Sequence, residues 1–199
     1  MSSHKPGRGR PRVMVNEQVV DVAMNAYWET NPGEVSVNAI CKLAGISKPS
    51  LYREFGNEDG LTRATLDRYA EKVLSKLFTL LQEGQGLQDT LHALIEFASA
   101  NTQMETGCLF YKMRVGKHRL GPQTRLRVEE IEAEAQTAYV AFLQTHHASD
   151  TWPTGLSVET GAKYLSEQLA LAITQRAAGE SQERIREMLR LALSVFVSK

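Results

Sequence analysis

The chain has only two cysteines, Cys41 and Cys108, and neither has a second cysteine or a histidine at ligand spacing. A disulfide framework and a zinc site are therefore not expected. The adjacent pair His146-His147 cannot point the same way on a helix. No apolar run approaches the roughly 20 residues needed to cross a bilayer. The basic N-terminus lacks the apolar core of a secretory signal, so a cytoplasmic protein is expected. No Ser/His/Asp order, glycine-rich phosphate loop, HExxH or paired CxxC is present, so neither an enzyme nor a cofactor is expected. The chain also lacks net charge, with 23 basic residues against 23 acidic ones. A nucleic-acid-binding protein often carries a basic excess.

The distribution of charge qualifies that last absence. Residues 1–12 hold Lys5, Arg8, Arg10 and Arg12 and no acid, and Lys42 to Arg53 hold three bases and no acid. Acids gather elsewhere, as at Glu129, Glu130, Glu132 and Glu134. A neutral total can hide a cationic end and an acidic body. The Gly/Pro/Arg-rich stretch 1–14 is expected to be a basic flexible arm, either a plain solvated tail or one that follows phosphates or enters a minor groove through Arg8, Arg10 and Arg12.

The stretch Ser36–Gly56, SVNAICKLAGISKPSLYREFG, organises the rest. Ser36 can cap a first short helix, whose apolar face is Val37, Ile40, Cys41 and Ala44. Gly45 stands where the chain must turn and where a residue without Cβ takes positive φ at little cost. Ser47 can cap the next helix, and Pro49 sits in its first turn, where no N–H is needed. Leu51 and Phe55 can face inward. Lys48, Ser50, Tyr52 and Arg53 are left for the outer face, a set of donors suited to phosphates and base edges. Such a pair is either a helix-turn-helix DNA reader or an ordinary helical hairpin. A helix over 16–30, with Val19, Val22, Ala23, Ala26, Tyr27 and Trp28 inward, precedes it and completes a three-helix domain. Ser36 and Asn38 would add backbone contacts, and Tyr52 and Ser50 suit phosphates. Arg53 could reach guanine.

Asn57 is expected to cap a long helix over 58–82, with Glu58 and Asp59 in its first turn and a stripe through Leu66, Tyr69, Ala70, Val73, Leu74, Leu77 and Leu81. Further helices are expected over 87–104, 107–115, 123–147, 157–178 and 181–197. The last two are apolar nearly all round. Leu165, Leu169, Ala172 and Ile173 make one stripe, with Tyr164 and Leu171 beside it. Ile185, Met188, Leu189, Ala192, Leu193 and Phe196 make another, with Leu191 and Val195 also apolar. A helix apolar on all sides is buried on all sides, which points to a four-helix dimer interface or simply to a well-buried C-terminal helix. The candidate interface residues are Leu165, Leu169, Ile173, Ile185, Leu189, Ala192 and Phe196.

From about Val15 to Tyr69, the arm, helix, AGIS turn, LYREF helix and capped helix with GL in its first turn resemble the TetR/AcrR family of bacterial transcriptional regulators. The segment Gly107-Cys108-Leu109-Phe110 also resembles one found in part of that family. Two positions depart from the pattern, Asn31 where glycine is common and Glu58 where lysine is common; an acid at the second repels a DNA backbone. The resemblance implies an all-α fold of about nine helices. An N-terminal helix-turn-helix domain (15–60) would be followed by a larger ligand-binding and dimerisation domain (61–199). It implies that Ser47, Lys48, Pro49, Ser50, Tyr52 and Arg53 carry recognition. It further implies a homodimeric repressor on a palindromic operator, answering to a small-molecule effector through the long helix. Pocket candidates are Phe97, Asn101, Met104, Phe110, Met113, Tyr139 and Phe142. The alternatives are a DNA-binding protein without a ligand and an all-helical adaptor with a degenerate reader.

Overall fold

The computed structural model describes residues 12–83, 86–147, 152 and 155–197, and every regular element among them is helical. In order these are α1 (Arg12–Glu29), α2 (Val37–Ala44), α3 (Lys48–Phe55), α4 (Glu58–Tyr69), α5 (Ser75–Glu83), α6 (Leu87–Ala100), α7 (Leu109–Val115), α8 (Pro122–Gln144), α9 (Val158–Ala177) and α10 (Gln182–Leu193). Helix α1 begins at Arg12, four residues earlier than the apolar stripe alone indicates. Arg8 and Arg10 lie outside the described residues, as does the side chain of Arg12.

The ends of the short helices follow from their capping residues. Ser36 Oγ accepts from the Ala39 amide at 3.2 Å, Ser47 Oγ from the Ser50 amide at 3.3 Å, and Asn57 Oδ1 from the Gly60 amide at 2.8 Å. Each satisfies an N–H that the first turn leaves orphaned. Gly45 closes α2 at φ 67°, the left-handed region in which any side chain would be strained. A Cβ on Gly60 would stand 2.0 Å from the Phe55 carbonyl oxygen, so the GL pair in the first turn of α4 is what lets that helix start against the end of α3.

Tyr27, Ala23, Val19, Ile40, Leu51 and Leu61 form the core of this first unit. Met24 and Trp28 are buried as well, while Val22 is only half-buried, because α1 packs against both α2 and α4. The Trp28 indole donates to the Gly107 carbonyl at 2.6 Å and meets the Tyr69 ring edge-on, 4.9 Å between centroids. The first unit is thereby fastened to the body.

The expected single long helix is continuous from Glu58 to Glu83 but contains a π-helical turn, Ala70–Leu74, between α4 and α5. The turn adds a residue to the local repeat and still leaves Val73 and Leu74 buried. Cys108 is not inside a helix as expected. It is the N-cap of α7, with its sulfur accepting from the Tyr111 amide.

A carboxylate from α4 caps a helix of the body. Asp59 accepts from the Gln123 amide (2.8 Å), the Thr124 amide (3.0 Å) and the Thr124 hydroxyl (2.6 Å), at the N-terminus of α8. One turn further on, Arg127 of α8 reaches Asp67 of α4 at 2.7 Å and Glu134 at 2.9 Å. Burial alone would raise the Asp59 pKa, but the hydrogen bonds from Thr124 and Gln123 outweigh it and hold the carboxyl below its ordinary value. A depressed folded pKa gives stability that is present above the ordinary carboxylate range and lost as pH falls through the folded value. Asp59→Ala is therefore expected to cost about 1 to 2 kcal/mol at neutral pH. The gap from wild type should close as the solution is acidified, in urea unfolding curves at a series of pH values.

The acids of α8 do not form a free acidic body. Glu129 pairs with Lys117, Glu130 and Glu134 with Arg127, and Glu132 with Arg114 and Lys163.

Helices α9 and α10 correct the expected interface. Leu165, Leu169, Ile173, Ile185, Leu189 and Phe196 are all buried inside this one chain, and Ala192 is half-buried. They face the chain's own core, where α9 packs on α8 and α6 and α10 packs on α6. They are therefore not available to a second copy. The apolar residues left outside are the neighbouring stripe: Tyr164, Leu171, Met188, Leu191 and Val195.

Candidate DNA-reading and effector sites

Helix α3 is eight residues long and is fixed by a single fully buried side chain, Leu51, with Tyr52 and Phe55 packed partly against the core. Glu54 turns back toward α1 and Ser50 is half-buried, while the other polar side chains point outward. Lys48, Pro49 and Arg53 are exposed, as are Ser47 at its cap and Ser36 and Asn38 at the start of α2. All the described members of the sequence-derived reading set thus lie on the α2–α3 pair, and none is sequestered in the core.

Within that face the polar groups order one another. Ser47 Oγ donates to Ser50 Oγ at 3.0 Å, and Arg53 Nη2 donates to the same Ser50 oxygen at 3.4 Å. The Lys48 ammonium lies 5.4 Å from the centroid of the Tyr52 ring, a cation–π contact. The Tyr52 hydroxyl donates to Glu58 Oε1 at 3.3 Å. Glu58 is the departure from pattern noted in the sequence, and here it occupies the hydroxyl of a reading-face residue. At the other end of the unit, Asn16 Nδ2 donates to Glu54 Oε1, tying α1 to α3.

A second candidate site lies in the body between α5, α7, α8 and α9. It is a narrow cavity of about 80 Å³, lined on its apolar side by Leu74, Phe78, Phe110, Ile131, Tyr139 and Leu169 among others. Two bases and two acids sit at its edge. Arg114 lies 2.8 Å from Glu167 and 3.5 Å from Glu132, and Lys163 lies 3.0 Å from Glu167 and 3.4 Å from Glu132. The hydrogen bond from Arg114 holds the Glu167 carboxyl below its ordinary range. The four charges sum to zero, so the cavity offers a guest an apolar interior and an edge without net charge.

Of the seven pocket candidates, the structure brings Phe110 and Tyr139 together here. Met104 and Met113 are 1% exposed and fill the core. Phe97 packs partly against the core, and Asn101 caps a turn by accepting from the Gln103 amide at 3.0 Å. Phe142 borders a different, open groove beside α5. A helical stripe does not reveal whether its neighbours close on it or leave a gap. The missed lining residues, Phe78 and Arg114 above all, come from helices whose mutual placement the sequence does not state.

Cys108 also lines this cavity, and burial pushes its thiol pKa up, so it is not held as a reactive thiolate. Tyr69 Oη, beside it, is buried, and burial pushes its pKa well above the ordinary value. Among the described residues no group of three His, Cys, Asp or Glu side chains could hold a metal ion, and no helix is long and apolar enough to cross a membrane.

Comparison with known proteins places these two sites in context. The family profile described as bacterial regulatory proteins, tetR family, matches residues 19–65, which run from α1 into α4. The HTH-type transcriptional repressor ComR of Escherichia coli (strain K12) is 38% identical over 72 residues, 36% of this chain and 34% of ComR, so the match spans about a third of that protein's length. The HTH-type transcriptional repressor BdcR of the same organism is 26% identical over 188 residues, covering 90% of this chain and 94% of BdcR. Among solved structures, a cysteine mutant of the TetR family transcriptional regulator CifR, complexed with 26bp double-strand operator DNA, superposes with a TM-score of 0.73. It does so at 17% identity, over 96% of this chain and 98% of that one.

Proposed function

We propose that the chain is a TetR-family, DNA-binding transcriptional regulator that represses transcription as a cytoplasmic homodimer on a palindromic operator and lets go when a small molecule enters its body. It acts without chemistry of its own: the site residues bind and position, and none is arranged as nucleophile and base. The observation that carries the reading is the exposed α3 face, in which a buried Leu51 fixes the helix while Lys48, Ser50, Tyr52 and Arg53 are ordered and outward. BdcR, a repressor by name, matches this chain over nearly its whole length, and that supports the same role here.

In this reading α3 lies in the major groove. Arg53 reaches a base edge, where a guanidinium pairs bidentately with guanine. Lys48, Ser47, Ser50 and Tyr52 take phosphates, with Ser36 and Asn38 adding backbone contacts from the start of α2. Arg8 and Arg10 belong to an arm that follows the phosphates, Arg12 stands where that arm joins α1, and Pro49 shapes the first turn of α3. The reader is assigned to about residues 15–60 and the sensing and dimerising body to 61–199. Two readers related by a two-fold axis meet successive grooves, which makes the operator palindromic.

The dimer surface is the outer stripe of α9 and α10, in place of the buried stripe. Tyr164 and Leu171 on α9, and Met188 and Leu191 on α10 with Val195 in the turn that follows it, are spaced to line one face each. The Tyr164 hydroxyl donates to the Ala192 carbonyl at 3.0 Å, which fixes the two helices relative to one another before any partner arrives.

The effector site is the apolar cavity between α5, α7, α8 and α9. At about 80 Å³ it is smaller than an ordinary ligand site, so a ligand must push its walls apart. The balanced Arg114–Glu132–Lys163–Glu167 ring favours a neutral, largely apolar or aromatic molecule. Two of the helices that would move, α7 and α8, are those gripping the reader, through Lys112 on α1 and through Thr124 and Arg127 on α4. The ligand acts by preferring one of two arrangements of that grip.

The test is selection of bound fragments from sheared bacterial genomic DNA by the purified full-length protein, followed by sequencing. The expected result is an enriched motif with two inverted half-sites. Recovery of no motif at moderate salt overturns the reading.

A further inference from the structure

We propose that the cleft between the Asn31–Glu34 turn and α7 is a second ligand site, distinct from the apolar cavity, and that it takes a small amphipathic carboxylate. The cleft measures about 500 Å³, within the ordinary range for a small-molecule site and several times larger than the cavity between α7 and α8. One wall is the turn that leads from α1 to α2, and the other is α7 with the Lys117–Arg119 turn that follows it.

Its charges are arranged for an anion. Lys112, His118 and Arg119 line it, and neither Lys112 nor Arg119 pairs with a carboxylate among the described residues. Among the described residues the Lys112 ammonium donates to main-chain oxygens, Trp28 O at 2.6 Å and Thr30 O at 3.2 Å. Burial lowers its pKa from the ordinary value and outweighs the attraction of Glu34 across the cleft. Arg119 is exposed, and its Nε donates to the neighbouring imidazole at 3.3 Å. Glu34 contributes the one carboxylate of the cleft, from the α1–α2 turn. Two fixed cations against one carboxylate suit a monoanion better than a phosphate dianion.

The rest of the lining is apolar. Val115 is 64% exposed here, the most exposed large hydrophobic residue on α7, with Leu120 and Ala177 nearby. Its exposure is explained if a hydrocarbon body lies over it. Carboxylate and hydrocarbon then occupy the two chemically different halves of the same cleft.

Occupancy has a mechanical consequence. Lys112 caps the C-terminal carbonyls of α1, so an anion that draws the ammonium away weakens the joint between reader and body. Cys108 and Tyr111 line both this cleft and the apolar cavity, so the first turn of α7 is the partition between them.

Phenylacetate and its neutral amide phenylacetamide are the probes, titrated calorimetrically into the full chain without DNA and mapped by amide hydrogen exchange. Because no DNA is present, failure here leaves the regulator reading untouched. Phenylacetate is expected to bind roughly tenfold more tightly than the amide, the value of a charge-assisted hydrogen bond. New protection should fall on residues 31–34 and 107–120. Arg119→Gln and Lys112→Gln should each abolish that preference, and Arg119 is exposed enough for its replacement to leave the fold intact should Lys112→Gln unfold. Absence of phenylacetate binding at millimolar concentration, equal binding of acid and amide, a preference unchanged in Arg119→Gln, or protection confined to α8 and α9 would each overturn the proposal.

Discussion

Glutamate at both Leu171 and Leu191 is expected to leave the protein folded but monomeric, with operator affinity about a hundredfold lower or worse. Both leucines belong to the exposed stripe, 46% and 78% exposed, so the substitutions remove no core packing within the chain. In a two-fold dimer they would place four carboxylates in an apolar contact with no counter-charge, and one uncompensated buried charge costs about 3 to 5 kcal/mol. The DNA penalty follows from valency. A dimer binds its second half-site at the high effective concentration set by the first, which multiplies affinity by about 10²–10⁴. Sedimentation velocity and gel-shift titration on the selected operator read the two effects. A doubly substituted protein that still sediments as a dimer would remove this face from the assembly. Replacing the buried Leu189 instead should lower stability by about 2 to 5 kcal/mol through a cavity in the chain's own core, which separates the two stripes experimentally.

The second large effect is expected at Arg53. Arg53→Ala should weaken specific binding by about 1–3 kcal/mol, relaxing the preference at one operator position. Its guanidinium is exposed and, among the described residues, is held by Ser50 Oγ at 3.4 Å, a contact weak enough to exchange for a base edge. Glu58→Lys is the companion measurement. It removes a carboxylate that accepts from Tyr52 and supplies a cation near the same place. Affinity should rise on every sequence alike, with the salt dependence steepening by about one counterion. Uniform weakening by Arg53→Ala across all sequences would reassign Arg53 to a phosphate.

How much of this was legible in the sequence depends on the range of the interaction. Ser36, Ser47 and Asn57 act on amides three residues away, and Gly45 acts on its own φ angle, so a single pass along the chain finds them. The outward set on α3 follows from which residues Leu51 leaves outside. The sequence does not say which residues stay inside the chain, because α10 and the turn after it carry two apolar stripes. Ile185, Leu189, Leu193 and Phe196 are equivalent by period to Met188, Leu191 and Val195, and periodicity does not say which stripe meets the chain's own α6 and which meets solvent. The cavity is only partly visible in the sequence for a related reason, since methionines at helical spacing fill the core and the gap opens beside Phe110 and Tyr139. The π turn at Ala70–Leu74 left no mark in the sequence pattern, because the apolar stripe runs through it unbroken. The contact of Asp59 with α8 spans more than sixty residues of chain and has no local signature.

That contact also bears on modularity. A body cut out at residue 61 would begin just after the carboxylate that closes the first turn of α8, and a reader cut out at residue 60 would carry an Asp59 with nothing to cap. The boundary drawn by function and the boundary drawn by hydrogen bonds do not coincide. Chimeras that graft a different reader onto this body will preserve response to the effector only where the incoming sequence brings an acid at the position of Asp59. Among natural exchanges of readers between such bodies, this pairing of an acid with the threonine at the start of α8 should be inherited as a unit.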